Sequence, residues 1–225
     1  MKIVLTREAG KNDELRRLLT SRHEIVDVPL TSTEFFSIHD VETQLRAAKS
    51  YGHFESLVAT SARVDRYVGL VDEAMASHFE VFTVGRTSEQ VLAQHGLVVT
   101  HRSEGGAEEL NHYITHNPVL LLGAQEMREE LTIALRKRGL EVEHIKCYRT
   151  LPVQPTAAQQ ALLSSADVVA IGAPSTWAVA KPFVSESAWV VVPGATTATV
   201  VAETHPRVVV GWDQRFPEAL LAFEE

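Results

Sequence analysis

Short apolar runs alternate with segments of helical spacing along the whole chain. Residues 2–6 (KIVLT) form a β-branched run, and Leu15, Leu18 and Leu19 then recur on one face of a helix predicted over 11–22. Residues 24–28 (EIVDV) and 56–60 (SLVAT) read as the next strands. A helix capped by Thr60 or Ser61 follows, with Val64, Tyr67, Val68, Val71 and Met75 on one side. The run 81–84 (VFTV) leads through Gly85 into TSEQVLAQHG, where Thr87 and Gln90 have capping-box spacing and Gly96 is a natural stop.

The second half keeps the same grammar. A weaker strand at 97–100 and a helix at 107–116 precede the fully apolar strand 119–122 (VLLL). A helix over 126–138 stops at Gly139, and the strand 140–145 runs into KCYRTLP, whose proline is expected to end regular structure. Then come 167–171 (DVVAI), a helix from Ser175, 189–192 (WVVV), a helix from Thr196, and 207–210 (RVVV). Strands and helices in this alternation predict an α/β fold with parallel sheets flanked by helices on both faces.

The chain also resembles itself. KIVLTREAGKNDELRRLLTSRHEIVDV and PVLLLGAQEMREELTIALRKRGLEVEHI both read strand, polar turn, leucine-bearing helix, strand. SLVATSARV sets against VVAIGAPSTWAV, and VFTVGRTSEQVL against VVVPGATTATVV. Two halves of one design predict two similar α/β domains.

Composition narrows the function classes. The 225 residues are 45% hydrophobic and 22% charged, enough for one large domain or two small ones. A formal net charge of −8 argues against a general nucleic-acid binder, and the cluster Arg136-Lys137-Arg138 reads as cations complementing a helix C-terminus. The single cysteine, Cys147, allows no intramolecular disulfide and no cysteine-rich zinc site. His112 and His116 share helical spacing without an accompanying carboxylate pattern, so a solvated helix face is expected and no metal. The start lacks the pattern of a signal peptide and no run is long enough to span a bilayer, so a cytoplasmic protein without membrane contact is expected. No feature signals oligomerisation, and a monomer is the expectation.

Candidate chemistry sits where strands end. Each repeated turn puts Thr, Ser or Gly at a helix start, where unpaired N–H groups and the helix dipole suit carboxylate or phosphate oxygens. The same residues also serve simply as N-caps. Arg7, Arg63, Arg86 and Arg149 all follow predicted strands, either as solvated cations or as anion contacts.

Taken in order, Thr6-Arg7, TSARV (60–64), VGRT (84–87), the block from LLLG through KCYRTLP, GAPS (172–175) and GATTA (194–198) resemble the uroporphyrinogen-III synthase family over nearly the whole chain. The resemblance implies two domains, residues 1–33 with 150–225 and residues 34–149, joined by extended connectors at Pro29-Leu30-Thr31 and at 148–152 across a cleft. It implies closure of linear hydroxymethylbilane to uroporphyrinogen III, with inversion of the last pyrrole ring, loss of water and no cofactor. Tyr148 is similar to the family's proposed proton donor, although a tyrosine packed at the connector is the competing role. Thr6, Arg7, Thr60, Ser61, Arg63, Arg86, Thr87, Ser175, Thr196 and Thr197 match turns implied to hold the carboxylate-rich substrate. Two departures from the family pattern stand out: Pro193 before Gly194, and the less polar turn Gly123-Ala124-Gln125.

Two other classes fit parts of the pattern. A two-domain binding or regulatory protein for an anionic small molecule would share the fold and the turns. A nucleotide-dependent transferase ranks lower, because neither GxGxxG after a strand nor a P-loop is present. Trp177, Trp189 and Trp212 read as core or interface residues, and Phe35-Phe36 as buried or lining the cleft.

Overall fold

The computed structural model describes residues 1–19, 23–49, 53–71, 80–104, 106–127, 129–211 and 215–221. In chain order its strands are β1 (Lys2–Leu5), β2 (Glu24–Asp27), β3 (Thr31–Phe35), β4 (Ser56–Ala59), β5 (Glu80–Val84), β6 (His101–Ser103), β7 (Val119–Ala124), β8 (Val142–Pro152), β9 (Val168–Ala170), β10 (Trp189–Val192) and β11 (Val208–Val210). Its α-helices are α1 (Asp13–Leu18), α2 (Ile38–Lys49), α3 (Asp65–Val68), α4 (Arg86–Gln94), α5 (Glu130–Lys137), α6 (Ala157–Ser164), α7 (Pro174–Ala180), α8 (Ala195–Ala202) and α9 (Phe216–Leu221).

Two compact units form, one from Met1–Thr33 with Leu151–Glu225 and one from Glu34–Thr150. The sheet of the first has the order β11-β10-β9-β1-β2, and that of the second β3-β8-β7-β4-β5-β6. Neighbours from β11 through β2, and from β8 through β6, pair in parallel. Read from its far edge as β6-β5-β4-β7-β8, the second sheet matches the first strand for strand, in the correspondence that the internal repeat predicts. β3 is added beyond β8.

Each sheet is buried on both faces, which is why its central strands are continuous apolar runs. In the second unit Leu57, Leu120, Leu122 and Ile145 face α2, α3 and α4, where Val41, Leu45, Tyr67 and Leu92 meet them. Val58, Leu121 and Val142 point the other way, against Leu131 and Leu135 of α5. In the first unit Val4, Val169, Val190 and Val192 pack with Leu163, Trp177 and Val201, while Ile3, Leu5 and Val191 pack with Leu15 and Phe216.

Several elements differ from the sequence expectation. KCYRTLP is strand rather than a strand exit: β8 keeps its pairing to β7 and continues alongside β3, so Pro152 falls at the end of a long strand, where a missing N–H is tolerated. The weak strand lies at His101–Ser103 rather than 97–100, and the helix expected over 107–116 is a 3-10 helix at Ala107–His112. α5 starts at Glu130 instead of 126. α2, α6 and α9 were not expected, although Val41, Leu45 and Ala48 keep helical spacing and Thr156 with Gln159 forms a complete capping box for α6. Residues 20–22 of the first predicted helix, Met75 and Trp212 lie outside the described residues.

One irregularity positions the candidate residue Tyr148. Lys146 pairs with Gly123 and Tyr148 with Ala124, so Cys147 is an extra residue in β8. Such a bulge breaks the alternation of faces. Ile145, Cys147 and Tyr148 consequently all enter the same core cluster. Burial pushes the Cys147 thiol up to about 12, against a weaker opposing hydrogen bond from the Gly123 backbone, so it stays an inert, protonated core residue.

Candidate active site

Parallel pairing brings the carboxyl ends of the strands to one edge of each sheet, and the candidate turns follow those ends. In the second unit the Ser61 hydroxyl accepts from the Arg63 N–H at 3.3 Å and caps the 3-10 helix Ala62–Val64 that leads into α3. Arg63 is thereby carried over the Tyr148 ring, its Cζ 5.6 Å from the centroid. The Phe35 ring stands 6.2 Å from that of Tyr148, tilted by 53°. Tyr148 itself is 4% exposed. The Tyr67 hydroxyl donates to the Phe36 carbonyl at 2.6 Å and ties α3 to the end of β3. Burial raises the Tyr67 pKa from its ordinary value, and the adjacent Arg66 opposes that rise. Arg149 is committed to Glu34, with its Nη2 3.0 Å from both carboxylate oxygens.

Other expected residues of this unit lie elsewhere. Thr60 opens onto the opposite face of the sheet, where it borders a cavity of about 260 Å³ with Gly106, Ala107, Glu108, Met127, Glu130 and Leu131. Gly123 is a strand residue of β7 on that face, not part of a turn, and a Cβ there would sit 3.2 Å from Met127 Sδ and 3.3 Å from Thr60 Oγ1. Arg86 and Thr87 are exposed, and Arg86 lines a different cavity of about 510 Å³ with Glu89, Gln90, residues 97–99 and Arg102. The capping box expected from Thr87 and Gln90 is not formed. The N-cap of α4 falls two residues earlier, on Gly85, whose φ of 74° and ψ of 155° are open to glycine alone.

In the first unit Thr6 is fully buried and its hydroxyl donates to the Ala170 carbonyl at 2.5 Å, joining the ends of β1 and β9. Arg7 is partly exposed just beyond it. Ser175 and Thr196 are exposed in the first turns of α7 and α8, whereas Thr197 is 3% exposed. None of these three hydroxyls caps its helix: Ala173 and Gly194 occupy the N-cap positions. Gly194 is fully extended at φ −171°, a geometry that follows Pro193 without strain.

Within the second unit, therefore, Ser61, Arg63 and Tyr148 come together, while Thr60, Arg86 and Thr87 do not join them. Phe35 and Arg66 complete the group. The sequence had offered Phe35 only as buried or lining the cleft, just after the first connector. For Arg66 the signal was only the three-residue interval from Arg63. Among the described residues no group of three or more His, Cys, Asp or Glu side chains is placed to hold a metal ion. Among them also, no helix is long and apolar enough to cross a membrane.

His144 carries a pH prediction. Burial lowers its pKa below the ordinary 6.5, helped by Lys146 and Arg136 and opposed by a hydrogen bond with the Ala124 backbone. The folded chain thus holds a neutral imidazole that the unfolded chain protonates below about pH 6.5. Stability contributed here is complete above that pH and falls as the solution is acidified towards the folded value. Urea midpoints between pH 7.5 and 5 should decline less in His144→Gln than in the parent, and equal slopes would refute the assignment.

Doubly covered parallel sheets with hydroxyl- and arginine-bearing turns at their carboxyl edges define an α/β protein whose candidate site lies in strand-end loops. The family model for uroporphyrinogen-III synthase HemD matches residues 13–222. The chain belongs to that family, whose members are cofactor-independent cyclising lyases acting on a tetrapyrrole substrate. Solved structures agree in fold. A mutant uroporphyrinogen III synthase of the extremely thermophilic bacterium Thermus thermophilus is 16% identical with a TM-score of 0.65, the match covering 100% of this chain and 97% of that one. Uroporphyrinogen-III synthetase of Helicobacter pylori is 17% identical with a TM-score of 0.63, over 99% and 98% of the two chains. The wild-type Thermus enzyme is 18% identical with a TM-score of 0.53, over 100% and 96%. No curated protein sequence gives a significant match.

Proposed function

We propose that this chain, acting as a cytoplasmic monomer, closes hydroxymethylbilane to uroporphyrinogen III with Tyr148 as the proton donor. The C–O bond of the terminal hydroxymethyl group breaks and the departing hydroxyl takes a proton to leave as water. The resulting azafulvene cation is attacked by the substituted α-carbon of the last pyrrole ring, forming a C–C bond and a spiro centre. The original bond from that carbon to its methylene bridge then breaks, the freed methylene carbon bonds to the unsubstituted α-carbon of the inverted ring, and the proton lost from that carbon returns to the site. A phenol O–H is a hydrogen-bond donor and can serve as the acid. Ring closure is facile without help and yields the wrong isomer, so much of the task is positioning.

The family match over residues 13–222 carries this reading. The placement of Tyr148 within β8 where its pairing to β7 ends, beneath Arg63, supports the assignment of roles. Arg63 and Ser61 offer donors to substrate carboxylates beside the ring, and Arg7, Ser175, Thr196 and Thr197 offer them at the corresponding edge of the first unit. Thr6 contributes by holding strand ends in register, since its hydroxyl proton is already donated within the sheet. Thr60, Arg86 and Thr87 remain proposed contacts on surfaces apart from the Tyr148 group.

The test supplies freshly generated hydroxymethylbilane to the purified protein, oxidises the product and separates the porphyrin isomers by chromatography. A type III excess that scales with protein concentration is expected. Type I alone, at the rate seen without protein, would overturn the enzymatic reading in favour of a binding or regulatory member of the family.

A further inference from the structure

A second guanidinium shares the Tyr148 edge. Arg66 lies three residues after Arg63, on the turn where the 3-10 helix passes into α3, so the two arginines are neighbours on one helical surface. Arg66 Cζ sits only 3.8 Å from the centroid of the Phe35 ring. Phe35 is in turn the ring neighbour of Tyr148 at 6.2 Å, and Tyr148 lies under Arg63 at 5.6 Å. Two aromatic rings thus stand side by side with a cation over each.

The acids closest in sequence are occupied elsewhere. Asp65 pairs with His95 at 2.8 Å, and Glu34 is held by Arg149 at 3.0 Å. Among the described residues no carboxylate pairs with Arg66. A guanidinium seated over a ring is pre-organised and still presents N–H groups to a planar anion. Arg66 is exposed and Phe35 half-buried, so the cation is reachable while its platform is anchored.

We propose that Arg66 is a carboxylate-binding residue for the acid side chains of the linear tetrapyrrole, and that Phe35 is the positioning residue that fixes it. This rests on the enzymatic reading above. Arg66 binds a peripheral acid group and does not take part in proton transfer, so its contribution lies in substrate affinity and not in turnover.

Steady-state kinetics with hydroxymethylbilane, read as type III product, test the proposal. Arg66→Gln is expected to raise KM about tenfold, with kcat within about twofold of the parent, as for loss of one charge-assisted contact. Arg66→Lys, which keeps charge but not the planar fork, should recover part of the loss. Phe35→Leu should raise KM by about threefold, and the double variant Phe35→Leu/Arg66→Gln should be no worse than Arg66→Gln alone, because Phe35 acts through Arg66. Arg207→Gln removes the same charge from a cation–ring pair with Trp189 at the amino edge of the first sheet and should leave KM within about twofold.

An unchanged KM in Arg66→Gln, an equal rise in Arg207→Gln, or a loss confined to kcat would each overturn the assignment. If the parent protein makes type III product and Arg66→Gln binds as well as the parent, the inference fails and the enzymatic reading stands. If the parent makes only type I, both fail together.

Discussion

Tyr148→Phe is expected to lower kcat for type III formation about a hundredfold, within the range ordinarily lost when a positioned general acid is removed. The variant isolates the hydroxyl. Its ring still fills the space at the bulge, beside Phe35 and beneath Arg63, so the packing of a residue only 4% exposed is retained. Stability should therefore change by less than about 1 kcal/mol, as judged by urea denaturation. KM should stay close to that of the parent, since the proposed carboxylate contacts lie on other side chains. A kcat within about threefold of the parent would remove Tyr148 as the acid. It would leave positioning as the source of isomer selectivity, with Tyr148 as a packed residue near the end of the second unit's chain segment.

The largest loss of stability is expected from Trp177→Ala, about 3–5 kcal/mol in the first unit. Trp177 is 3% exposed in α7, its Nε1 donates to Thr204 Oγ1 at 3.0 Å, and its ring meets His205 edge-on at 5.5 Å. His205 Nε2 is in turn 2.8 Å from the Ala188 carbonyl just before β10. Truncation empties the space between α7, α8 and the sheet and leaves the Thr204 hydroxyl without its donor. Trp177→Phe keeps most of the apolar surface and should recover the greater part of the loss. Denaturant unfolding followed by far-ultraviolet circular dichroism reads both, and a Trp177→Ala loss under about 1 kcal/mol would contradict the packing described.

How far the site could be read in advance varies residue by residue. Ser61 and Arg63 were legible because strand ends in parallel sheets face one edge and both follow an apolar run. Tyr148 was picked out as the residue just past the apolar run 140–145, although it lies within β8, where the pairing to β7 ends. Thr60 was legible as a strand-end residue but not as one facing α5. One position along a strand decides the face, and the boundary of a strand is the least certain part of a local pattern. The expected cap at Thr87 failed for a related reason. Gly85 starts α4 early, through a backbone conformation that composition suggests but does not enforce. Phe35 and Arg66 were missed as a pair because one belongs to a strand and the other to a helix that is distant in sequence.

By itself the sequence determined the strand-rich apolar runs, the alternation with helices, the internal repeat and the family. Burial on both faces is imprinted locally as continuous Val, Leu and Ile, and family membership rests on short motifs in order. Only the tertiary structure decided the sheet orders, the persistence of β8 through Pro152, the bulge at Cys147 that turns Tyr148 into the core, and the seating of Arg66 over Phe35. Those features depend on which strand lies beside which. That choice is made by contacts between residues far apart in the chain, to which local periodicity is blind.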